Sequence, residues 1–244
     1  MAEHTHIPIL HRDERIVVVD KPAGLLSVPG IGPDKADCLV ARLAVQFPQS
    51  PPRIVHRLDR DTSGVMVLAF DADAHRELSR QFQDREVVKH YTAVVAGHLE
   101  SDAGTIDLPM RKDMDAAPTP LQRIDHERGR RAITHYTVVE RATLNPAGFH
   151  PRLVDDESRT SHSRGCKPAD TMQITHLDLN PVTGRSHQLR LHLKTIGHPI
   201  LGDDLYAPDL VLSAAPRLML HARSLFFVHP ETAAPMRFNV SAPF

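Results

Sequence analysis

His56-Arg57-Leu58-Asp59-Arg60-Asp61-Thr62-Ser63-Gly64 runs directly into Val65-Met66-Val67-Leu68-Ala69-Phe70, joining a polar turn to an unbroken apolar run. The apolar run has the length and composition of a strand buried on both faces. A charge-dense turn placed immediately before such a strand lies at the edge of the core, not out on a tip. Its plainest reading is structural, with the Asp and Thr side chains satisfying the backbone of their own turn. The arginines around Asp59 favour a second reading. A guanidinium keeps a partly buried carboxylate ionised, and an ionised, fixed carboxylate is what nucleophilic catalysis by Asp requires.

Working outward, residues 16–20 (IVVVD) form a strand that breaks at the turn Lys21-Pro22-Ala23-Gly24. Residues 36–47 read as a helix, because Leu39, Leu43 and Phe47 fall on one stripe, and Pro48, Pro51 and Pro52 stop it. Downstream, Asp71 or Asp73 caps a helix running to Gln83, with Leu78 and Phe82 inward. Residues 87–96, 133–139 and 172–179 read as strands. Residues 183–196 read as a helix closed by Gly197, and strands at 224–228 and 236–240 follow. Strands outnumber helices, and many connections are too short for regular crossovers. The expectation is an α+β fold: a mixed, largely antiparallel β-sheet with flanking helices, as a single catalytic domain over residues 1–244. Residues 145–170 lack periodicity and are rich in Ser, Arg, Asp and Pro; they are expected to be a flexible insertion loop.

Composition narrows the function classes. No apolar run is long enough to cross a bilayer, and the N-terminus lacks the basic-then-apolar pattern of a signal peptide, so a cytoplasmic protein is expected. Cys38 and Cys166 are expected to be reduced thiols. Seventeen histidines are numerous, yet none falls in a zinc-type spacing, so no metal site is expected. A net charge of −1 means that a polyanion partner would need a local basic patch. Arg111, Lys112, Arg123, Arg128, Arg130 and Arg131 offer one, either as a solvated hairpin or as a phosphate-contacting surface.

Two further clusters complete the inventory. Gly184-Arg185-Ser186-His187-Gln188-Leu189-Arg190-Leu191-His192 reads as an amphipathic helix with Arg185, Gln188 and His192 on one polar face. That face is either solvated or, at its basic N-terminus, phosphate-binding. Residues 197–206 (GHPILGDDLY) form a short apolar run between two glycine turns.

Taken in order and spacing, VVDKPAGLLSV (18–28), HRLDRDTSGVMVLA (56–69), GRSHQLRLH (184–192), GHPILGDDLYA (197–207) and LHA (220–222) resemble the successive motifs of the RluA family of RNA pseudouridine synthases. The resemblance spans nearly the whole chain and is closest to the stand-alone RluA branch. It implies an enzyme that isomerises uridine to its C-glycoside in RNA without metal or cofactor; nothing in the sequence demands a partner chain, so a monomer is expected. Asp59 would be the nucleophile, attacking C1′ of the ribose or C6 of the uracil. Tyr91, in Lys89-His90-Tyr91, would stack on the base and assist proton removal. Arg190 would pair with Asp59 and hold it ionised. Arg57 would contact RNA and fill the space vacated by the extracted uridine, with Arg185 and Lys21 as further substrate contacts. Leu220 would be the apolar wall, with Leu218 its rival. His56, His187 and His192 would be structural or phosphate-facing.

The residues before Val18 are too few for the S4-type RNA-binding module that many family members carry. Recognition is therefore expected from the catalytic domain, on a compact target such as a 23S ribosomal RNA hairpin or a tRNA anticodon stem-loop. Two rival readings use the same residues. Asp59-Arg60-Asp61-Thr62 fits the DxDT string of haloacid-dehalogenase-type phosphatases, with Gly202-Asp203-Asp204 as a magnesium motif. There, however, the apolar run precedes the aspartates, and here it follows them. A non-catalytic RNA-binding protein would require Asp59, Tyr91 and Arg190 to be dispensable.

Overall fold

The computed structural model describes residues 6–32, 35–116, 121–144 and 171–244; the expected insertion loop at 145–170 and Cys166 lie outside the described residues. In chain order the elements begin with β1 (Ile9–Arg12), β2 (Ile16–Lys21), α1 (Leu39–Gln46), β3 (Arg53–Ile54), β4 (Ser63–Ala69) and α2 (Ala72–Gln83). Then come β5 (Val88–Ala96), β6 (Ala103–Asp107), the small hairpin β7 (Met110–Lys112) and β8 (Gln122–Ile124), and β9 (Ile133–Leu144). The chain continues through β10 (Met172–Pro181), α3 (Gln188–Thr195), α4 (Asp209–Leu212), β11 (Leu220–Val228) and β12 (Pro235–Asn239).

One large sheet, in the order β1-β2-β4-β11-β5-β10-β9-β6, runs through the molecule, with β3 on β4 and β12 on β11. Every pairing in it is antiparallel except β4 with β11, so the sheet is mixed and largely antiparallel, as the sequence implies. That parallel pair is two residues long, Ser63 with His221 and Gly64 with Ala222. It joins two halves of the sheet, each with its own packing. On one side, Val17, Val19, Met66 and Leu68 face α1, while Val18, Val65 and Val67 face α2 and β12. This is why residues 65–70 are apolar without alternation: β4 is buried on both faces. On the other side, β5 and β10 pack against α3 through Leu177, Leu179, Leu189 and Leu193.

Glycine decides the seam. Gly64 sits at φ +118°, and a Cβ there would stand 2.3 Å from the carbonyl oxygen of Ala222, so no side chain fits. Beside it, Ser63 Oγ accepts from Arg217 Nη2 at 2.7 Å and lies 2.8 Å from His221 Nδ1.

Two helices differ from expectation. α1 starts at Leu39, not at residue 36, because Cys38 is held in an extended bridge to Leu26 and the Leu39 N–H is taken by the Leu26 carbonyl at 2.7 Å. α3 starts at Gln188, not at 183, because His187 adopts the left-handed conformation at φ +54°. Arg185 therefore belongs to a turn and shares no helical face with Gln188 and His192. The expected solvated face does not exist, since Gln188 through Leu193 are all buried.

Candidate active site

The turn that holds Asp59 is clamped on both sides. The Ser27 hydroxyl donates to the Leu58 carbonyl at 2.7 Å and accepts from the Leu58 N–H at 3.2 Å. Lys21 Nζ donates to the carbonyls of Pro22 (2.9 Å), Leu25 (2.7 Å) and Arg60 (3.0 Å). The Thr62 N–H closes the turn on the Asp59 carbonyl at 3.2 Å. Lys21 is wholly buried, which corrects its expected role as a substrate contact: its three donors are spent on backbone behind the loop. Burial lowers its pKa to about 7, against the pull of the Asp61 and Asp59 charges.

With its backbone held, the half-buried Asp59 side chain faces a cleft of about 660 Å³. Arg57, Tyr91, Arg185, Arg190 and Leu220 line the same cleft. The loop, β5, the turn before α3, α3 itself and the start of β11 thus bring six of the seven expected site residues together, and Lys21 is the exception. Leu218 is buried in the core behind the wall that Leu220 forms.

The arginines are not arranged as expected. Arg60 Nε bonds Asp61 at 3.0 Å and its Nη2 reaches Asp204 at 3.5 Å. Arg190, 2% exposed, is gripped by Asp203, 1% exposed, through two hydrogen bonds, and bonds Asp204 Oδ1 at 2.8 Å. So Arg190 makes no direct pair with Asp59; its fork is filled by the two acids of the 197–207 segment. Burial alone would lower the Arg190 pKa, but the Asp203 hydrogen bond and charge, then Asp59 and Asp204, hold it raised. Asp59 acts on Arg190 through its field alone, and among the described residues its carboxylate carries no hydrogen bond or ion pair. A carboxylate without a partner, next to a fixed guanidinium, keeps its lone pairs free for an incoming atom.

The tyrosine and histidines around it are shifted towards their neutral forms. Burial, aided by the Asp59 charge, pushes the Tyr91 phenol well above its ordinary value, so it stays protonated and presents a ring and a hydroxyl, not a phenolate. His187, desolvated, is held below its ordinary value, and its Nδ1 lies 2.9 Å from the Tyr206 hydroxyl. Tyr206 also accepts the Gln122 N–H at 2.9 Å and lies under the Arg190 guanidinium, tying the hairpin to the site. His56 is structural: its ring stacks on Phe82 at 4.4 Å and accepts the Val67 N–H at 3.2 Å. Burial, and then the Lys89 charge, lowers its pKa to about 3. His192 bridges Thr134 and the Leu108 carbonyl.

The basic hairpin is largely neutralised. Arg111 pairs with Asp125, Arg123 with Asp115 and Asp113, and Arg131 with Asp107. Among the described residues only Lys112, Arg128 and Arg130 of that group lack an acidic partner. The positive charge lies instead in the cleft, whose lining holds five cations (Arg57, Arg85, Lys89, Arg185, Arg190) against one carboxylate, Asp59. Arg85 is not singled out by the sequence, and Lys89 is named there only as the first residue of Lys89-His90-Tyr91, without a role. The available signal was the Lys89-His90-Tyr91 triplet, in which alternation along a strand puts Lys89 and Tyr91 on one face.

The arrangement does not favour a phosphatase. Asp59 and Asp61 precede the buried strand, Asp61 is engaged by Arg60, and Asp203 and Asp204 are occupied by Arg190.

Comparison with known proteins agrees. Residues 15–195 match the family model described as RNA pseudouridylate synthase. The dual-specificity RNA pseudouridine synthase RluA of Yersinia pestis is 42% identical over 236 residues, covering 97% of this chain and 99% of that protein. The Escherichia coli K12 protein of the same name is 42% identical, covering 97% and 93%. Among solved structures, human RNA pseudouridylate synthase domain containing 1 superposes with a TM-score of 0.75 at 25% identity, over 100% of this chain and 86% of that one.

Proposed function

The chain belongs to the RluA family of RNA pseudouridine synthases, and from that premise we propose that it isomerises uridines in stem-loops of both 23S ribosomal RNA and tRNA, with Asp59 as nucleophile. The observation that carries the assignment of the site is the cleft itself, with one unpartnered carboxylate among five cations and a neutral tyrosine. The cations suit RNA phosphates, and Asp59 and Tyr91 suit the nucleoside.

In this reading the target uridine leaves the RNA stack, at a cost of a few kcal/mol. Stacking on Tyr91 offsets about 1–3 kcal/mol of that, and Leu220 closes the apolar side. Asp59 bonds to C1′ as the C1′–N1 bond breaks, or to C6 before it breaks. The base turns, C1′ bonds to C5, and the bond to Asp59 is released. C5 loses its proton to solvent while N1 takes one up, so the product is an isomer. Arg190, fixed by Asp203, supplies a positive field at the carboxylate without occupying its lone pairs. Arg57 and Arg185, at the mouth, contact the strand. That there are two substrates follows the printed name of the relatives, dual-specificity; the two RNAs are those the motif resemblance implies. Action as a cytoplasmic monomer belongs to the same proposal, and no helix among the described residues is long and apolar enough to cross a membrane.

The test is tritium release from 5-³H-uridine in bulk tRNA and in 23S transcripts, in EDTA, with Asp59→Asn alongside. Release from both RNAs, abolished by the substitution, is expected. Release from one RNA only would overturn the dual range, and release that survives Asp59→Asn would overturn the nucleophile.

A further inference from the structure

Arg85 and Lys89 sit in the cleft without an assigned task. Lys89 is half-buried, and among the described residues its ammonium has no hydrogen bond and no acidic partner. It faces the turn before α3, where a Cβ built on Gly184 would stand 3.8 Å from its Nζ. Burial, and then the like charge of Arg85, lower its pKa. A cation kept in such a place lacks what desolvated charges ordinarily have, a counter-ion.

Arg85 is odd for a separate reason. It follows the C-cap of α2 at φ +63°, with the Glu86 N–H bonded back to the Gln81 carbonyl at 2.9 Å. That is the left-handed position closing a helix, where glycine is the unstrained residue. The chain accepts backbone strain there and places a guanidinium on the cleft wall beside Lys89. Two like charges converge, one desolvated and the other on a strained backbone, with no carboxylate lining the cleft except Asp59. An anion is the missing component.

We propose that Arg85 and Lys89, opposite Gly184, form a phosphodiester subsite that grips the RNA strand beside the extruded uridine. Lys89 and Tyr91 project from the same face of β5 about 7 Å apart, two strand residues, within the reach of a single nucleotide. A base stacked on Tyr91 therefore brings a flanking phosphate to Lys89. The subsite rests on the RNA reading above but adds Arg85, and gives a contact to Lys89, to which the sequence assigned no role.

The experiment measures Kd against salt for Lys89→Met and Arg85→Gly, both in the Asp59→Asn background. The probe is whichever RNA the wild-type chain isomerises, and KM and kcat are measured in the active background. Each substitution is expected to weaken binding about tenfold and to reduce the log–log salt slope by about 1, with KM changing more than kcat. Arg85→Gly is expected to raise the urea midpoint while it weakens RNA binding, a combination that damage to the fold cannot produce. A neutral methylphosphonate at the linkage flanking the target uridine should weaken the unsubstituted chain and leave Lys89→Met unaffected. An unchanged Kd and slope in both variants, or weaker binding at an unchanged slope, would overturn the subsite while leaving isomerase activity intact. Wild-type chain that releases no tritium from any RNA would overturn the RNA reading, and the subsite with it.

Discussion

At the residue scale, the surprise is what each charged group is bonded to. The sequence places arginines beside Asp59 and suggests that they hold it; the structure gives Arg60 to Asp61 and Arg190 to Asp203 and Asp204. A linear string cannot show this, because Arg190 and Asp203 lie on opposite sides of a turn that only the fold closes. That turn depends on Gly202, where a Cβ would meet the Arg217 carbonyl oxygen at 1.9 Å. The two acids should then behave differently. Asp203→Asn leaves a buried guanidinium short of its counter-charge and is expected to destabilise by about 3 kcal/mol. Asp204, 45% exposed, should cost less than about 1 kcal/mol when changed to Asn. Urea midpoints of the two variants check this, and equal losses would count against the assignment.

At the element scale, long patterned segments were legible and short ones were not. β2, β4, α2, β5 and β10 follow from apolar runs, an Asp cap and β-branched clusters. β1 and β3 are a few residues each and carry no period of their own; neighbours define them. The start of α3 was misplaced because propensity cannot foresee a left-handed histidine held against Tyr206. The motif residues, by contrast, were legible as a set, since six of the seven line one cleft. Lys21 was misread because a charged side chain suggests a surface, whereas three carbonyls bury it. Gly64 is the element-scale test. Gly64→Ala forces the parallel seam apart and should cost about 3 kcal/mol or more. Tritium release should fall further than the loss of folded protein explains, because the seam sets the Asp59 loop against Leu220. Activity that merely tracks the folded fraction would count against that coupling.

At the scale of the whole molecule, buried histidines set the response to acid. His56 titrates near pH 3 in the folded chain and near 6.5 when unfolded, so the unfolded chain binds the extra proton in that interval. Stability from this source is complete above about pH 6.5 and is lost as pH falls towards 3. By pH 5, His56 alone should have removed about 2 kcal/mol. His187, His192 and His221, desolvated and also lowered, act in the same direction. Urea midpoints at pH 7 and pH 5 should show the drop, and His56→Gln, which retains an acceptor for Val67, should shrink it; equal midpoints at the two pH values would contradict this account. The sheet order has a consequence in time as well as in space. β11, the strand between β4 and β5, is made after both, yet it carries Leu220 and completes the seam at Gly64. A chain made only as far as β10 therefore has Asp59 but no finished cleft around it. The cleft is complete only once this later strand has entered the sheet between two earlier ones.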